Sequence, residues 1–160
     1  MDIKHSLKTG ISFGLTSGVI TTLGVMVGLN STTHSKIAVA GGVMIIAVAD
    51  AFSDALGIHM SEESEVKHSP LEVWLATIST FFAKALFASI FIIPVIFFSI
   101  QTAVYVSIGL GFLILTLFSH YLALKQKISP LRTITEHLSV AAVVLILSHY
   151  LGIMASQLFK

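Results

Sequence analysis

Long runs of apolar residues dominate the chain, and short polar stretches separate them. Five runs each hold roughly 20 or more mostly apolar residues, which is the length an α-helix needs to cross a bilayer. They cover residues 10–29, 37–59, 71–100, 102–124 and 133–158. A transmembrane β-barrel would instead show alternating segments of about ten residues. The pattern therefore predicts an all-α integral membrane protein, a single domain of five transmembrane helices over residues 1–160.

Proline and serine mark where some of these helices begin and bend. Ser69 and Pro70 precede the third run, and Glu72 stands at the position that completes a capping box. A second Ser-Pro pair, at residues 129–130, precedes the fifth run. Pro94 lies inside the third run, where it removes a helical hydrogen bond. We therefore expect helices to start at 70 and 130, and a kink near Pro94.

Lysine and arginine in the short loops indicate the orientation, because these residues are enriched on the cytoplasmic side. With the N-terminus inside, the cytoplasmic side receives Lys4, Lys8, Lys67, Lys125, Lys127 and Arg132, and the outside receives Lys36 and Lys160. The bias predicts a cytoplasmic N-terminus. The odd number of helices then puts the C-terminus outside.

Composition narrows the class of protein further. Charged residues make up 11% of the chain and the mean hydropathy is +0.94, whereas soluble domains carry about 25% charged residues. The net charge of +1 and the lack of a basic block argue against nucleic-acid binding. The chain has no cysteine, and its sequence shows no recognisable pair of a catalytic nucleophile and a base, so we do not expect an enzyme. The composition is therefore typical of an integral membrane protein.

Two aspartates in the second run are the strongest candidates for function. Asp50 and Asp54 are four residues apart, so on a helix they share one face about 6 Å apart along the axis. Ser53, Gly57, Ser61 and Glu65 continue this stripe, which we expect to line a protein interior or a water-filled path. Paired carboxylates repel when ionised. A divalent cation or a proton relieves the repulsion, as in a proton/metal antiporter.

A lysine inside the third run offers a different interpretation of the same aspartates. Lys84 lies at a depth similar to that of Asp50 in the neighbouring antiparallel helix. An Asp–Lys84 pair would then join the two helices without any transport. The two interpretations are compatible, because Lys84 would also neutralise one aspartate when a cation leaves.

Two further segments bear on a cation path. The first helix carries a face of small residues that includes Gly10, Gly14, Ser17 and Gly18. Such a face serves packing within one subunit, a homodimer contact, or a pore lining in which Ser17 supplies an oxygen. The loop after the second run holds Glu62, Glu63 and Glu65. It is either a solvated acidic loop or a vestibule that attracts cations.

Two segments resemble signatures of the vacuolar iron transporter family. Residues 13–22 read Phe-Gly-Leu-Thr-Ser-Gly-Val-Ile-Thr-Thr, which is similar to the family's Phe-Gly-x-x-Asp-Gly-Leu-x-Thr-Thr. Residues 49–65 read Ala-Asp-Ala-Phe-Ser-Asp-Ala-Leu-Gly-Ile-His-Met-Ser-Glu-Glu-Ser-Glu. This resembles the family's Ala-Asp/Glu-Ala-x-Ser-Met-x-x-Gly-x-Tyr-x-Ser-x-x-Ser-Glu. The likeness extends over nearly the whole chain, without the cytoplasmic metal-binding insertion of some members.

The resemblance implies a function and a set of site residues. It implies a homodimer, with a path lined by the first helices, that moves Fe²⁺ or Mn²⁺ out of the cytosol against protons; the metal is substrate, and no cofactor is expected. Asp50 matches the intramembrane metal ligand, and Glu65 matches a glutamate that helps collect metal. The chain departs from the family at Ser17, where members have aspartate, and at Asp54, where they have methionine.

The sequence and the resemblance together predict a proton-coupled divalent-metal transporter in a prokaryotic plasma membrane. The predicted metal site comprises Ser17, Asp50, Asp54, Glu62, Glu63 and Glu65, with Lys84 as the counter-ion or proton-coupling residue. The expected partners are the lipid bilayer, divalent metal ions and a second copy bound through helix one. The alternative is a non-transporting membrane protein of the same fold, either a metal sensor or a partner-binding protein, in which the Asp50–Lys84 pair is structural.

Overall fold

Helices make up almost all of the chain in the computed structural model, which describes residues 3–65 and 68–159. Seven α-helices and one π-helical turn follow one another in these ranges. They are α1 (Ile3–Thr33), α2 (Lys36–Ile45), the π-helical turn (Ile46–Asp50), α3 (Ala51–Ser64), α4 (Pro70–Ile90), α5 (Ile92–Phe97), α6 (Ile100–Gln126) and α7 (Pro130–Leu158). No strand occurs in the described ranges, so the all-α prediction is confirmed.

Within the described part of the chain, five helical stretches are long and apolar enough to cross a membrane. They are Ile3–Thr33, Lys36–Ser64, Pro70–Phe97, Ile100–Gln126 and Pro130–Leu158. Each overlaps one of the five predicted runs, although the first helix begins at Ile3 and not at residue 10, and together they indicate an integral membrane protein. Each holds 27 to 31 residues, or about 40–47 Å of helix, which exceeds a hydrocarbon core of about 30 Å. Their polar ends therefore have the length to reach the interfaces.

The orientation of these helices in the membrane stays a prediction. Lys67 and Lys160, which the loop count uses, lie outside the described residues. Lys36 is described, and its ammonium donates to the carbonyl oxygens of Ile96 and Phe98 at 3.0 and 3.1 Å. Lys36 therefore meets the C-terminal end of α5, where carbonyl groups lack helical donors and attract a cation.

The predicted helix start at Pro70 and the predicted interruption near Pro94 are both present in the structure. The Glu72 carboxylate accepts hydrogen bonds from the backbone N–H of Ser69 at 2.8 Å and from its hydroxyl at 2.7 Å, within a capping box at the start of α4. The helix that follows is interrupted at Phe91. Pro94 has no N–H to donate to Ile90, four residues earlier, which accounts for the break at this point.

The chain divides into two compact units, and the first contains residues of 1–19 and 43–92. In this unit α3 packs along α4, and the N-terminal part of α1 also contacts α4. A Cβ atom on Gly14 would lie 2.5 Å from the carbonyl oxygen of Thr80, and one on Gly10 would lie 2.4 Å from that of Ala76. Only glycine allows two helix backbones to approach this closely.

The second unit contains residues of 20–42 and 93–160, and in it α6 packs on α7. The C-terminal part of α1 contacts α7, where a Cβ on Gly152 would lie 2.5 Å from the carbonyl oxygen of Gly28. The small residues of α1 therefore serve helix packing in this unit also. The prediction of one domain for residues 1–160 stays a prediction.

Candidate functional site

The two predicted aspartates and the predicted lysine meet in the first unit. The Lys84 ammonium of α4 lies 2.5 Å from an oxygen of Asp50 and 2.5 Å from an oxygen of Asp54. The Lys84 side chain has no exposed surface. The sequence does not indicate whether Lys84 pairs with Asp50 or with Asp54. In the structure, Lys84 pairs with both aspartates.

Ser17 of α1 completes this group, which we call the Asp–Lys cluster (Ser17, Asp50, Asp54 and Lys84). The Ser17 hydroxyl donates to Asp54 at 2.6 Å, and the ammonium donates to the Ser17 oxygen at 3.1 Å. Three oxygens therefore surround one positive charge. Ser17, Asp50 and Asp54, which belong to the predicted metal site, therefore surround Lys84, the predicted counter-ion.

The charges of the Asp–Lys cluster do not balance within it. Two ionised carboxylates and one ammonium leave one negative charge. An uncompensated charge is costly in a membrane segment. The carboxylate side chains are more exposed to solvent than the lysine side chain is. The Asp50 side chain is 36% exposed and that of Asp54 is 21% exposed, whereas Lys84 is sealed.

Local backbone features position the cluster. Asp50 is the last residue of the π-helical turn, in which the N–H of Ala51 donates to the carbonyl oxygen of Ile46, five residues earlier. A π-helical turn inserts one residue into the helix and is frequent at functional sites. The sequence Ile-Ala-Val-Ala-Asp contains no proline or glycine that would mark it. Sequence reasoning missed this turn.

The glycines of α1 bring Ser17 to the cluster. A Cβ on Gly14 would lie 2.9 Å from the backbone nitrogen of Lys84, and one on Gly18 would lie 3.0 Å from its carbonyl oxygen. The small-residue face of α1 is therefore used for packing within the chain at this level. A homodimer through helix one stays a prediction, and it needs surface other than these glycines.

The other residues of the predicted stripe on the second helix do not belong to the Asp–Lys cluster. Ser53, Gly57, Ser61 and Glu65 are exposed on the chain, and the prediction that this stripe lines a protein interior or a water-filled path stays a prediction. The buried face of α3 instead carries Ala51 and Ala55. Their small side chains allow α3 to lie close to α4, which turns the stripe to one side.

The three glutamates form contacts of their own at the C-terminal end of α3. Glu62 and Glu65 contact opposite nitrogens of His68 at 2.9 and 3.8 Å, and Glu63 lies 3.9 Å from His59. Glu62 lies eight residues beyond Asp54, or about 12 Å along the helix. The glutamates and the aspartates therefore do not form one coordination site. In residues 3–65 and 68–159, no three His, Asp or Glu side chains are arranged to hold a metal ion.

Comparisons with known proteins give no significant match. No protein-family model matches the chain, and no curated protein or solved structure is significantly similar to it. The resemblance to the vacuolar iron transporter family rests on the two quoted segments and stays a proposal.

Proposed function

We propose that this protein is a proton-coupled cation transporter whose cation site is the Asp–Lys cluster. The observation that carries the proposal is the buried Lys84 ammonium, which lies between two partly exposed carboxylates. The oxygens of Asp50, Asp54 and Ser17 already surround one cation, and the two carboxylates remain accessible from the surface of the chain. A mobile cation that reaches them competes with the ammonium for the same oxygens.

Charge balance supports coupling to protons. The cluster needs one further positive charge for neutrality, and a proton on either carboxylate supplies it. A divalent ion that binds both carboxylates supplies more charge than this proton and weakens the hold of Lys84 on them. Metal binding and protonation are therefore linked, because both use the same oxygens. Lys84 is the internal counter-ion that occupies the site when the metal has left.

The proposed substrate is a divalent metal, Fe²⁺ or Mn²⁺, which moves out of the cytosol. Carboxylate and hydroxyl oxygens suit hard divalent cations, and the resemblance to the vacuolar iron transporter family supports these two ions and this direction. The acidic end of α3, with Glu62, Glu63 and Glu65, would attract metal from the cytoplasm. The proposed setting is a prokaryotic plasma membrane, with a homodimer as the transporting form.

Metal-driven proton movement tests this function. Wild type and the Asp50→Asn, Asp54→Asn double variant are reconstituted into liposomes that contain a pH-sensitive dye, and Mn²⁺ or Fe²⁺ is added outside. We expect a pH change with wild type and none with the double variant. Glu136→Gln is the matched control, because Glu136 is exposed and pairs with Arg132 on α7. Equal pH changes in wild type and the double variant would overturn the proposal.

A second candidate function follows from the complete burial of Lys84. A sealed lysine that bonds to residues on α1 and α3 from α4 joins three helices. In this alternative the cluster is structural, and the protein senses metal or binds a partner without transport. Asp50→Asn would then lower stability unless Lys84 is also neutralised. The alternative fails if Asp50→Asn leaves the unfolding temperature unchanged but abolishes metal binding.

A further inference from the structure

A groove between α3 and α4 faces outward from the first unit and is almost wholly apolar. Its volume is about 480 Å³, and its walls include Phe52, Leu56, Ile78 and Phe82. These four side chains are 48–66% exposed. They belong to two stretches that are apolar enough to span a membrane, so the groove has the surface that a lipid acyl chain covers.

A polar pocket continues this groove at the end nearer the loop between α3 and α4. Its volume is about 130 Å³, and His59 and Trp74 line both spaces. Glu63 and His68 contribute polar side chains to its wall. An apolar groove and a polar pocket with two shared residues match the shape of an amphiphile, which has a tail and a headgroup.

His59 and Trp74, which line both the groove and the pocket, are held in place by their neighbours. His59 Nδ1 and the Thr77 hydroxyl are 2.9 Å apart, and the His59 ring meets the Trp74 ring edge to face at 4.8 Å. The other ring nitrogen of His59 lies 3.9 Å from a carboxylate oxygen of Glu63, which is too long for a direct hydrogen bond. A headgroup at this position can therefore bond to both atoms.

We propose that the groove and the pocket together bind one bilayer phospholipid with a primary ammonium headgroup, phosphatidylethanolamine. Its acyl chain lies in the groove against Phe52 and Phe82. Its ammonium donates to Glu63, whose carboxylate gives the pocket a negative charge. The Trp74 ring supplies an aromatic surface for the cation and for the adjoining glycerol region. The small volume of the pocket favours a primary ammonium over the bulkier trimethylammonium of phosphatidylcholine.

The single tryptophan of the chain provides a local reporter, because Trp74 lines both the groove and the pocket. The full chain is reconstituted into phosphatidylcholine vesicles that contain brominated phosphatidylethanolamine, phosphatidylcholine or phosphatidylglycerol, with bromine on the acyl chain. Bromine quenches tryptophan fluorescence at short range, so quenching reports occupation of the groove. We expect an apparent affinity for phosphatidylethanolamine about fivefold higher than for the other two lipids, which corresponds to one net hydrogen bond of about 1 kcal/mol.

Glu63→Gln tests the headgroup contact without removing bulk. Glu63 is 70% exposed, so the substitution leaves the packing of α3 intact. The preference for phosphatidylethanolamine should fall to parity in Glu63→Gln and persist in Glu65→Gln, an exposed neighbour that does not line the pocket. Equal quenching by all three lipids in wild type would overturn the proposal, because the groove would then lack headgroup selectivity. Stronger quenching by phosphatidylglycerol would overturn it as well, because the pocket would then select an anion.

Discussion

Lys84 and Asp54 form an ion pair between α4 and α3, with 2.5 Å between the ammonium nitrogen and the carboxylate oxygen. The lysine side chain has no exposed surface, while the aspartate keeps 21% of its own. The positive charge is therefore fixed inside the unit, and the negative charge remains accessible. Under the proposed function, this asymmetry gives a mobile cation access to the carboxylates.

Removal of the ammonium should destabilise the protein strongly. In Lys84→Met, Asp50 and Asp54 lose their shared counter-ion and face each other as like charges. Loss of one partner of a buried ion pair costs about 3–5 kcal/mol. We expect a loss of this order in the free energy of unfolding, measured by denaturation in detergent micelles.

Neutralisation of the whole group should restore most of that stability. The triple variant Asp50→Asn, Asp54→Asn, Lys84→Met retains the side-chain sizes and leaves no charge in the cluster. Replacement of a complete buried ion pair by neutral groups is often without net cost. If the triple variant is no more stable than Lys84→Met, the loss in the single variant comes from packing and not from unpaired charge.

The two aspartates should contribute unequally to stability. Asp54 accepts from both Lys84 and Ser17, whereas Asp50 pairs with Lys84. One net hydrogen bond is worth about 1 kcal/mol. Alanine removes these acceptors, so Asp54→Ala should lower the free energy of unfolding by about 1 kcal/mol more than Asp50→Ala does. Equal losses in the two variants would show that the Ser17 hydroxyl adds no stability.

A methyl group on Gly14 should separate α1 from α4. It would lie 2.5 Å from the Thr80 carbonyl oxygen and 2.9 Å from the Lys84 nitrogen, and neither backbone atom can move aside. Overpacking of this kind costs about 1–3 kcal/mol, so Gly14→Ala should lower the unfolding temperature. Gly109→Ala is the control, because nothing lies within 4 Å of its Cβ position. We expect Gly109→Ala to be neutral or stabilising, and equal losses in the two variants would contradict the close approach.

The capping serine of α4 should matter more than the corresponding serine of α7. Ser69 bonds to Glu72 through its backbone and its hydroxyl, whereas the residue three positions after Ser129 is Arg132, which cannot close a capping box. Loss of an N-cap hydroxyl costs about 1 kcal/mol. Thermal unfolding of Ser69→Ala and Ser129→Ala should show the larger loss for Ser69→Ala. The reverse order would refute the role assigned to the capping box.

Much of the fold follows from the sequence because apolar run length is a strong constraint in a membrane protein. The five runs, the helix start at Pro70 and the break before Pro94 all have local causes, and each was predictable. Partners of Lys84 were harder to predict. Similar depth in antiparallel helices suggested Asp50, but contact with both aspartates depends on the backbone of the second helix.

The π-helical turn is a feature of the fold that the sequence does not predict. It changes the register of the second helix by one residue just before Asp50, and nothing in Ile-Ala-Val-Ala-Asp distinguishes it from an ordinary helical turn. The exposed positions of Ser53 and Gly57 likewise depend on which face of α3 packs on α4. Alanine and glycine are both small enough for close packing, and their pattern alone does not decide between the two faces.

The most direct test of the account is metal flux through the reconstituted protein. Uptake of Mn²⁺ and Fe²⁺ into proteoliposomes is followed under an imposed pH gradient, with wild type, Asp54→Asn and the control Glu136→Gln. The account predicts saturable, gradient-dependent flux in wild type and Glu136→Gln, and at least a tenfold lower rate in Asp54→Asn. Flux that is unchanged in Asp54→Asn, or absent from well-folded wild type with both metals, would contradict it.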